Sequence, residues 1–323
     1  MYKITVILCT YNSQLNKIFQ SLYSVLRQDM DDYEIIIADD GSAENSFVKI
    51  ERFFHKYGFR NYKLLSHEEN KGTVLNLYDA VQKAEGEYIF SIGPGDYVYN
   101  KSVFASLYEF AKKQKDDFII GDLRFYSKSE GRIRYYKRYA PNFPQIFNIC
   151  SALYFVPKIL MFYQNNPVGV TYFWKRETIE LYLKEITGKI VYMEDKTTTL
   201  LYLFDDSKIR NNKICYNKLR YYNKPIVWYE FGTGISTSKD KNWERLLGKD
   251  EIVLKDILLE KYHGSRILNA VYAEDVCEKM RYLDINILIC IWKIFIRIKS
   301  FVVGVPDSDK KELQNIIKIK DYE

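Results

Sequence analysis

Along the first part of the chain the apolar residues fall into two alternating patterns, short unbroken runs and stretches with three-to-four spacing. Lys3 to Leu8 (KITVIL) is a continuous β-branched run, the pattern of a strand buried on both faces. Behind it Leu15, Ile18, Phe19, Leu22, Val25 and Leu26 recur at helical spacing, with Asn12 or Ser13 placed to cap the helix. Tyr33 to Ala38 (YEIIIA) repeats the strand pattern and closes in Asp39-Asp40-Gly41-Ser42, and a helix carrying Phe47, Ile50, Phe53 and Phe54 follows. A third strand, Tyr62 to Leu65, leads through Glu69-Asn70-Lys71-Gly72 into a helix with Val74, Leu77, Tyr78 and Val81. Tyr88 to Ile92 is the fourth strand. Gly93-Pro94-Gly95 stops it, because two glycines and a proline cannot continue a central ladder. Strand and helix alternating across short polar loops predict right-handed βαβ units, hence an α/β fold with a mostly parallel sheet flanked by helices.

Beyond Asp96 the alternation continues with a helix near Val103 to Lys113 and a strand near Phe118 to Ile120. Pro141, Pro144 and Pro157 mark an irregular connection with apolar helical segments around Phe147 to Phe162. Tyr172 to Trp174 reads as a returning strand, Glu194-Asp195 opens a helix, and Val227 to Phe231 runs as a strand into Gly232-Thr233-Gly234-Ile235-Ser236-Thr237. From about Ser238 the character turns helical and charged. In Asp284 to Val303 the polar residues Asn286, Cys290, Lys293 and Arg297 fall on one helical stripe. Charges so near its middle argue against a spanning helix. Lying in a membrane interface and packing on the body or in a homo-oligomer both fit.

Composition narrows the class. The 323 residues carry a net charge of +6, too mild and dispersed for a nucleic-acid partner but suited to an anionic substrate or an acidic membrane surface. Five scattered cysteines in no metal spacing read as reduced thiols, and His55, His67 and His263 form no ligand pair. Met1 leads almost at once into a strand pattern, so no signal peptide is expected, and the reading is a cytoplasmic protein.

Open sheets of this kind hold ligands at the carboxyl ends of their strands. That edge collects Thr10-Tyr11-Asn12, Asp39-Asp40, Asn70-Lys71-Gly72 and Asp96. Asp96 has a plain alternative as a turn former, and an acidic pair opening a helix, as Glu194-Asp195 does, often only complements its dipole. Arg132, Arg134, Lys137 and Arg138 read either as a solvated face or as a phosphate-facing loop. No GxGxxG or GxxxxGK[ST] follows a strand, which counts against dinucleotide-binding and P-loop folds.

The order TVILCTYN, IIIADDGS, ENKG, AEGEYIF with Asp96, YMEDKTTTL and YEFGTGIST resembles a family 2 glycosyltransferase of the GT-A fold, from about Lys3 to Thr237. The resemblance implies a nucleotide-sugar-binding half over 1–120 and an acceptor-binding and catalytic half over 121–237, while the helical extension over 238–323 lies outside it and is read from its own helical, charged pattern. It implies that Thr10, Tyr11 and Asn12 lie along the base and ribose of a UDP- or dTDP-sugar. Asp40, with Asp39 beside it, would accept a hydrogen bond from the base, while Asn70, Lys71 and Gly72 border the nucleoside or diphosphate. Asp96 would hold Mg²⁺ or Mn²⁺ on the diphosphate, Asp195 would be the general base of an inverting transfer, and Gly232, Thr233 and Gly234 would fold over the ligand. The usual Asp-Ser-Asp-Asp cluster is here Gly93-Pro94-Gly95-Asp96, and the usual Pro before Thr-Tyr-Asn is Cys9. The implied acceptor is a hydroxyl of a growing, lipid-linked surface glycan such as a capsule, made on the inner membrane face. The competing reading is an inert nucleotide-sugar-binding or scaffold homologue with a decayed Asp-x-Asp cluster.

Overall fold

The structure is a computed structural model and describes residues 2–129, 132–136, 144, 146–149, 160–161, 166–205, 209–210, 213–214, 219–232, 241–273 and 305–319. Four strands open the chain, β1 (Ile4–Thr10), β2 (Tyr33–Asp39), β3 (Tyr62–Ser66) and β4 (Tyr88–Ile92), separated by helices α1 (Leu15–Leu26), α2 (Phe47–Lys56) and α3 (Thr73–Lys83). A short strand β5 (Tyr97–Val98), helix α4 (Val103–Gln114) and the strands β6 (Phe118–Ser129) and β7 (Arg132–Tyr136) follow. After a helical turn α5 (Ile146–Ile149) come a 3₁₀ turn (Gly169–Thr171), strand β8 (Tyr172–Lys175), and helices α6 (Arg176–Ile186) and α7 (Glu194–Phe204). A small hairpin β9 (Ile209–Arg210) and β10 (Lys213–Ile214) precedes β11 (Arg220–Glu230). Three further helices are α8 (Lys241–Lys261), α9 (Arg266–Tyr272) and α10 (Asp307–Ile317).

The main sheet runs β3-β2-β1-β4-β8-β6-β11-β5, with β7 added to β6. Its long ladders are parallel, β1 with β2 and β4, β2 with β3, and β6 with β11. The short ladders are antiparallel, with β8 inserted between β4 and β6 and with β5 and β7 at the far side. Successive strand residues point to opposite faces, and both are buried. Ile4, Val6, Leu8, Ile35, Ile37 and Phe90 pack under α1, α2, α4 and α10. Ile7, Ile36, Ala38, Ile89, Phe118 and Ile120 pack under α3, α6, α7 and α8. Each fully buried aliphatic side chain contributes roughly 1.5–3 kcal/mol, which is why the unbroken apolar runs become central strands.

Several expectations are revised. Helix α1 starts at Leu15 with Gln14 at its N-cap and no side-chain cap bond, so neither Asn12 nor Ser13 caps it. Strand β6 continues nine residues past Ile120 because its second half gains β7 as a partner. Strand β11 begins at Arg220, with register shifts around Pro225, whose missing N–H breaks the ladder. Arg132 and Arg134 are exposed and lie on strand β7 rather than in a loop. Lys137 and Arg138, the 284–303 segment, and every cysteine except Cys9 lie outside the described residues. No helix among the described residues is long and apolar enough to cross a membrane.

Candidate active site

Parallel pairing of β1 with β2 sets Thr10 level with Asp39 at the strands' carboxyl ends. Thr10 Oγ1 donates to Asp39 Oδ2 at 2.8 Å, and Ser42 donates its N–H to Oδ1 at 2.8 Å and its hydroxyl to Oδ2 at 2.7 Å. Asp39 is thereby committed to shaping the loop. Asn12, at φ 45°, accepts from the Ala43 N–H and donates its own N–H to the Ser42 hydroxyl oxygen, so it too holds that loop. Tyr11 is different, with its ring 46% exposed over the edge.

Asp40 anchors the next loop. Its Oδ1 accepts the Lys71 N–H at 2.8 Å and its Oδ2 the Gly72 N–H at 2.9 Å. His67, which the sequence reading weighed only as a metal ligand, bridges Asp40 at 3.2 Å and Asp79 at 3.0 Å. The Lys71 and Gly72 N–H groups fill one acceptor position on each Asp40 oxygen, leaving the others for the His67 ring and for a further donor. The Lys71 ammonium pairs with Glu69. Gly72, at φ 91°, lies so close to Val191 that a Cβ would stand 2.3 Å from its Cγ1 and 2.6 Å from its carbonyl oxygen. Asn70 accepts from the Tyr192 hydroxyl at 3.4 Å. Burial, then the carboxylates of Asp40 and Asp250 and the Tyr11 hydroxyl, raise the Tyr192 pKa, which sets Tyr192 beside Tyr11 and Asp40.

The turn after β4 is fixed from α1. Ser21 Oγ accepts the Gly95 N–H at 3.0 Å and donates to the Gly93 carbonyl at 3.3 Å, and Tyr126 donates to the Gly95 carbonyl at 2.8 Å. Asp96 is partly exposed. Burial pushes its pKa up to about 8, against the N–H groups of Glu230 and Gly93, which favour the ionised form. Glu230, at the end of β11, adds a second negative charge there and pairs with Lys17 at 2.7 Å. A Cβ on Gly95, where the resembled cluster has an acid, would come 3.2 Å from the Glu230 Oε2 and 3.4 Å from the Lys17 Cδ. The Lys17–Glu230 pair thus stands at the place of the missing carboxylate. No group of three His, Cys, Asp or Glu side chains among the described residues is arranged to hold an ion. Among the described residues this turn offers an ion the Asp96 carboxylate, so most ligands of a divalent cation would have to be diphosphate oxygens and water.

Asp195 sits in the first turn of α7. Its Oδ1 accepts the Lys196 N–H at 2.6 Å, and the Gly169 N–H also bonds its carboxylate. A Cβ on Gly169 would stand 3.0 Å from the Asp195 Cβ. Strand β8 pairs with β4 as far as Phe90↔Phe173, and the 3₁₀ turn Gly169–Thr171 just before β8 lies against β4. Asp195 therefore docks on a turn packed against β4, the strand that leads into the Gly93–Asp96 turn. Burial raises the Asp195 pKa while the Lys196 and Gly169 N–H groups oppose it. Glu194 is pushed up to about 8 by burial, then by the charges of Asp195 and Asp250. Cys9 lies near it, its thiol raised to about 12 by burial, then by Glu194 and Asp40. Gly232, at φ 92°, is exposed two residues beyond Glu230, while Thr233 and Gly234 lie outside the described residues.

The arrangement offers a sheet edge with an exposed aromatic, an acceptor, an acid on a glycine turn and a second acid of raised proton affinity. Glu230 and Asp250 went unnoticed in the sequence, and His67 stood out there only as a metal ligand without a pair. Of these Glu230 had a readable signal, a carboxylate at the end of a strand before a glycine-rich loop.

The model of glycosyl transferase family 2 matches residues 5–186. A poly(ribitol-phosphate) beta-glucosyltransferase of Bacillus spizizenii is 31% identical over 125 residues, 38% of this chain and 19% of that protein. Glycosyltransferase GlyG of Streptococcus pneumoniae is 28% identical over 134 residues, 41% of this chain and 43% of that protein. The Escherichia coli UDP-Glc:alpha-D-GlcNAc-diphosphoundecaprenol beta-1,3-glucosyltransferase is 30% identical over 101 residues, 31% of this chain and 38% of that protein. The matches thus span less than half the length of these curated relatives. Among solved structures, Staphylococcus aureus TarS 1–349 in complex with UDP-GlcNAc superposes with a TM-score of 0.50 at 16% identity, over 87% of this chain and 79% of that one. The mannosyltransferase PcManGT of Pyrobaculum calidifontis, in complex with GDP-Man and Mn²⁺, gives 0.54 at 12% identity, over 98% and 80%. At these identities the likeness is one of fold.

Proposed function

Because the chain belongs to glycosyl transferase family 2, whose model covers more than half of its 323 residues, we propose that it moves a sugar with inversion from a UDP- or dTDP-sugar to a hydroxyl of a growing, lipid-linked surface glycan. The observation that carries the reading is the docking of Asp195 on the Gly169–Thr171 turn, which lies against β4, the strand that leads into the Asp96 turn. In the proposed reaction the acceptor oxygen bonds to the anomeric carbon as the bond from that carbon to the diphosphate breaks. Asp195 takes the hydroxyl proton as general base, an effect typically worth about 10²–10⁴ in rate. No covalent glycosyl-enzyme forms, so a single catalytic carboxylate suffices, where a glycosidase needs two. Tyr11 stacks on the base and the remaining acceptor position of Asp40 takes a base N–H, with Thr10, Asn12 and Asp39 holding the loop behind them. Asn70, Lys71 and Gly72 border the nucleotide, and the loop from Gly232 through Thr233 and Gly234 lies over it. A Mg²⁺ or Mn²⁺ arriving with the donor would be held by Asp96 and would supply charge compensation for the leaving diphosphate.

The relatives that act on poly(ribitol phosphate) and on a diphosphoundecaprenol-linked sugar support the surface-glycan and lipid-carrier parts of the proposal. A cytoplasmic, peripheral place on the inner membrane face follows from that acceptor, with 284–303 as the contact. Flotation on anionic liposomes should drop when the chain is cut before Asp284, and equal flotation would remove the membrane claim. A thermal-shift screen of UDP-, dTDP- and GDP-sugars, each with Mn²⁺ and with EDTA, identifies donor and metal use together. Asp195→Asn should lower turnover of the selected donor at least a hundredfold while its dissociation constant stays within about threefold. Near wild-type turnover in that variant would take the role from Asp195. One observation favours the inert-homologue reading, the Lys17–Glu230 pair at the place of the missing acid. Nucleotide-sugar binding with no transfer or hydrolysis under any metal condition would establish it.

A further inference from the structure

Helix α8 lies beyond the residues that the family model matches, yet it grips the acid pair from both sides. Trp243, Leu247, Asp250, Leu254 and Leu258 form its inward stripe, at helical spacing. Leu254 and Leu258 are fully buried, and Asp250, on the same stripe, is only 3% exposed. Packing alone would put another apolar residue there, since burying a carboxylate costs several kcal/mol unless it is well bonded. Asp250 meets that cost through three consecutive backbone amides. Its Oδ2 accepts the Tyr192 N–H at 2.7 Å and the Met193 N–H at 3.1 Å, and its Oδ1 the Val191 N–H at 3.2 Å.

That short segment connects the two halves of the site. On one side the Val191 carbonyl accepts the Val74 N–H at 3.0 Å, the Val191 side chain lies against Gly72, and the Tyr192 hydroxyl reaches Asn70. On the other side it runs directly into Glu194 and Asp195. The next residue of α8 completes the grip, as Glu251 takes the Lys196 ammonium on both oxygens at 2.6 and 2.7 Å, and the Lys196 N–H holds Asp195. Trp243 packs its ring on Tyr192 at 5.0 Å.

We propose that Asp250 is a positioning residue for the transfer reaction, holding the Val191–Met193 connector so that Asp195 and the Asn70–Gly72 loop keep a fixed separation, with Glu251 as its partner brace. The proposal rests on Asp195 being the base. Around the acid pair stand Cys9 from β1, Tyr172 from β8, Lys196 on α7 itself and Asp250 from α8. Cys9 and Tyr172 are neutral near pH 7, Lys196 is paired with Glu251, and the Asp250 carboxylate disfavours ionisation of Glu194, which carries its charge beside Asp195. Removing the Asp250 charge should make the pair easier to deprotonate.

The experiment uses the full chain and UDP-glucose, reading UDP release for kcat across pH and calorimetry for the UDP dissociation constant. Asp250→Asn keeps an acceptor oxygen and loses the charge. It should lower kcat at least tenfold, leave the UDP dissociation constant within threefold, and move the acid limb of the pH profile down by at least half a unit. Glu185→Gln, which breaks the surface pair of the same helix with Lys261 (2.7 Å), should leave kcat unchanged. A kcat within threefold of wild type, or a loss matched by weaker UDP binding with an unmoved acid limb, overturns the proposal. If Asp250→Asn fails to fold, Glu251→Gln at the partly exposed end of the brace decides. A three- to tenfold lower kcat at unchanged UDP binding supports the proposal, and wild-type kcat overturns it. An Asp195→Asn variant that retains turnover sinks the base assignment instead, and UDP-glucose that neither binds nor turns over in the wild type sinks this donor choice, so those failures stay distinct.

Discussion

Gly72 shows how a residue at a ligand edge is chosen for the protein behind it. Its φ of 91° excludes most side chains, and a Cβ would stand 2.3 Å from the Val191 Cγ1 and 2.6 Å from the Val191 carbonyl. A positive φ costs about 1–3 kcal/mol and overpacking against backbone a similar amount. Gly72→Ala should therefore lose about 2–4 kcal/mol in urea unfolding. It should also push the Val191–Met193 connector away and reduce turnover; unchanged stability would mean the loop and connector are not in contact. The sequence makes Gly72 visible as part of ENKG but does not reveal Val191, more than a hundred residues away. The same limit applies to the acids. Asp39, Asp40, Asp96 and Asp195 are legible because acids at strand ends and helix starts interrupt apolar runs. What each carboxylate is bonded to is not legible. Asp39 is taken by Thr10 and Ser42, and Asp40 by amides 31 and 32 residues on, because those partners meet only when parallel strands align. Asp250 had a faint mark, an acid on the apolar stripe of α8, that only its three amide partners explain.

At the scale of elements, α1 does more than cover the sheet. Its inward residues Ile18, Phe19, Leu22 and Val25 are core, while Gln20, Ser21 and Ser24, buried between them, hold the strand that follows the Asp96 turn. Gln20 accepts from Tyr97, Ser24 from the Val98 N–H, and Ser21 bonds both Gly93 and Gly95. Ser21→Ala strands the buried Gly95 N–H, a loss of about 1–3 kcal/mol. The expected outcome is a modest fall in melting temperature together with weaker UDP binding, measured by calorimetry, since the turn carrying Asp96 loses its anchor. Unaltered UDP affinity would separate Asp96 from the nucleotide. Strands β1, β2 and β4 were readable to within a residue or two because both faces are buried and the runs are unbroken, and the half-buried β3 because its short run is bounded by polar residues. The first half of β11 was not, since Asn223 and Lys224 are exposed and Pro225 interrupts the ladder. Nor was the insertion of β8 between β4 and β6, which depends on pairing across more than fifty residues and leaves no local trace.

Over the whole molecule the buried acids set how stability responds to pH. Folding raises Glu194 from an ordinary 4.5 to about 8 and Asp96 from 3.8 to about 8, in both cases chiefly by burial. Between those limits the folded chain binds more protons than the unfolded one. Stability is therefore fullest at the acid end of the window and falls as pH rises toward 8, the reverse of the usual salt-bridged carboxylate. The diffuse charge acts the other way, because a chain of net +6 and pI near 8.7 repels itself less as pH rises. The diffuse effect is screened over about 8–10 Å at ordinary salt, whereas each unit of pKa shift in a desolvated site is worth about 1.4 kcal/mol. The local acids should win, and the melting temperature should fall from pH 5.5 to pH 8.5. Glu194→Gln isolates the effect, since it shares the remaining charges and removes one titration. Its melting temperature should fall less over that range and exceed that of wild type at pH 8.5. Parallel curves for the two proteins would mean that Glu194 ionises as freely folded as unfolded. The same cost has a use in the proposed chemistry, since a base inside an acid cluster holds its proton more tightly than a free carboxylate. The acid limb of transfer should then lie above the ordinary carboxylate range, and the pH that activates the site is one at which the fold has begun to lose stability.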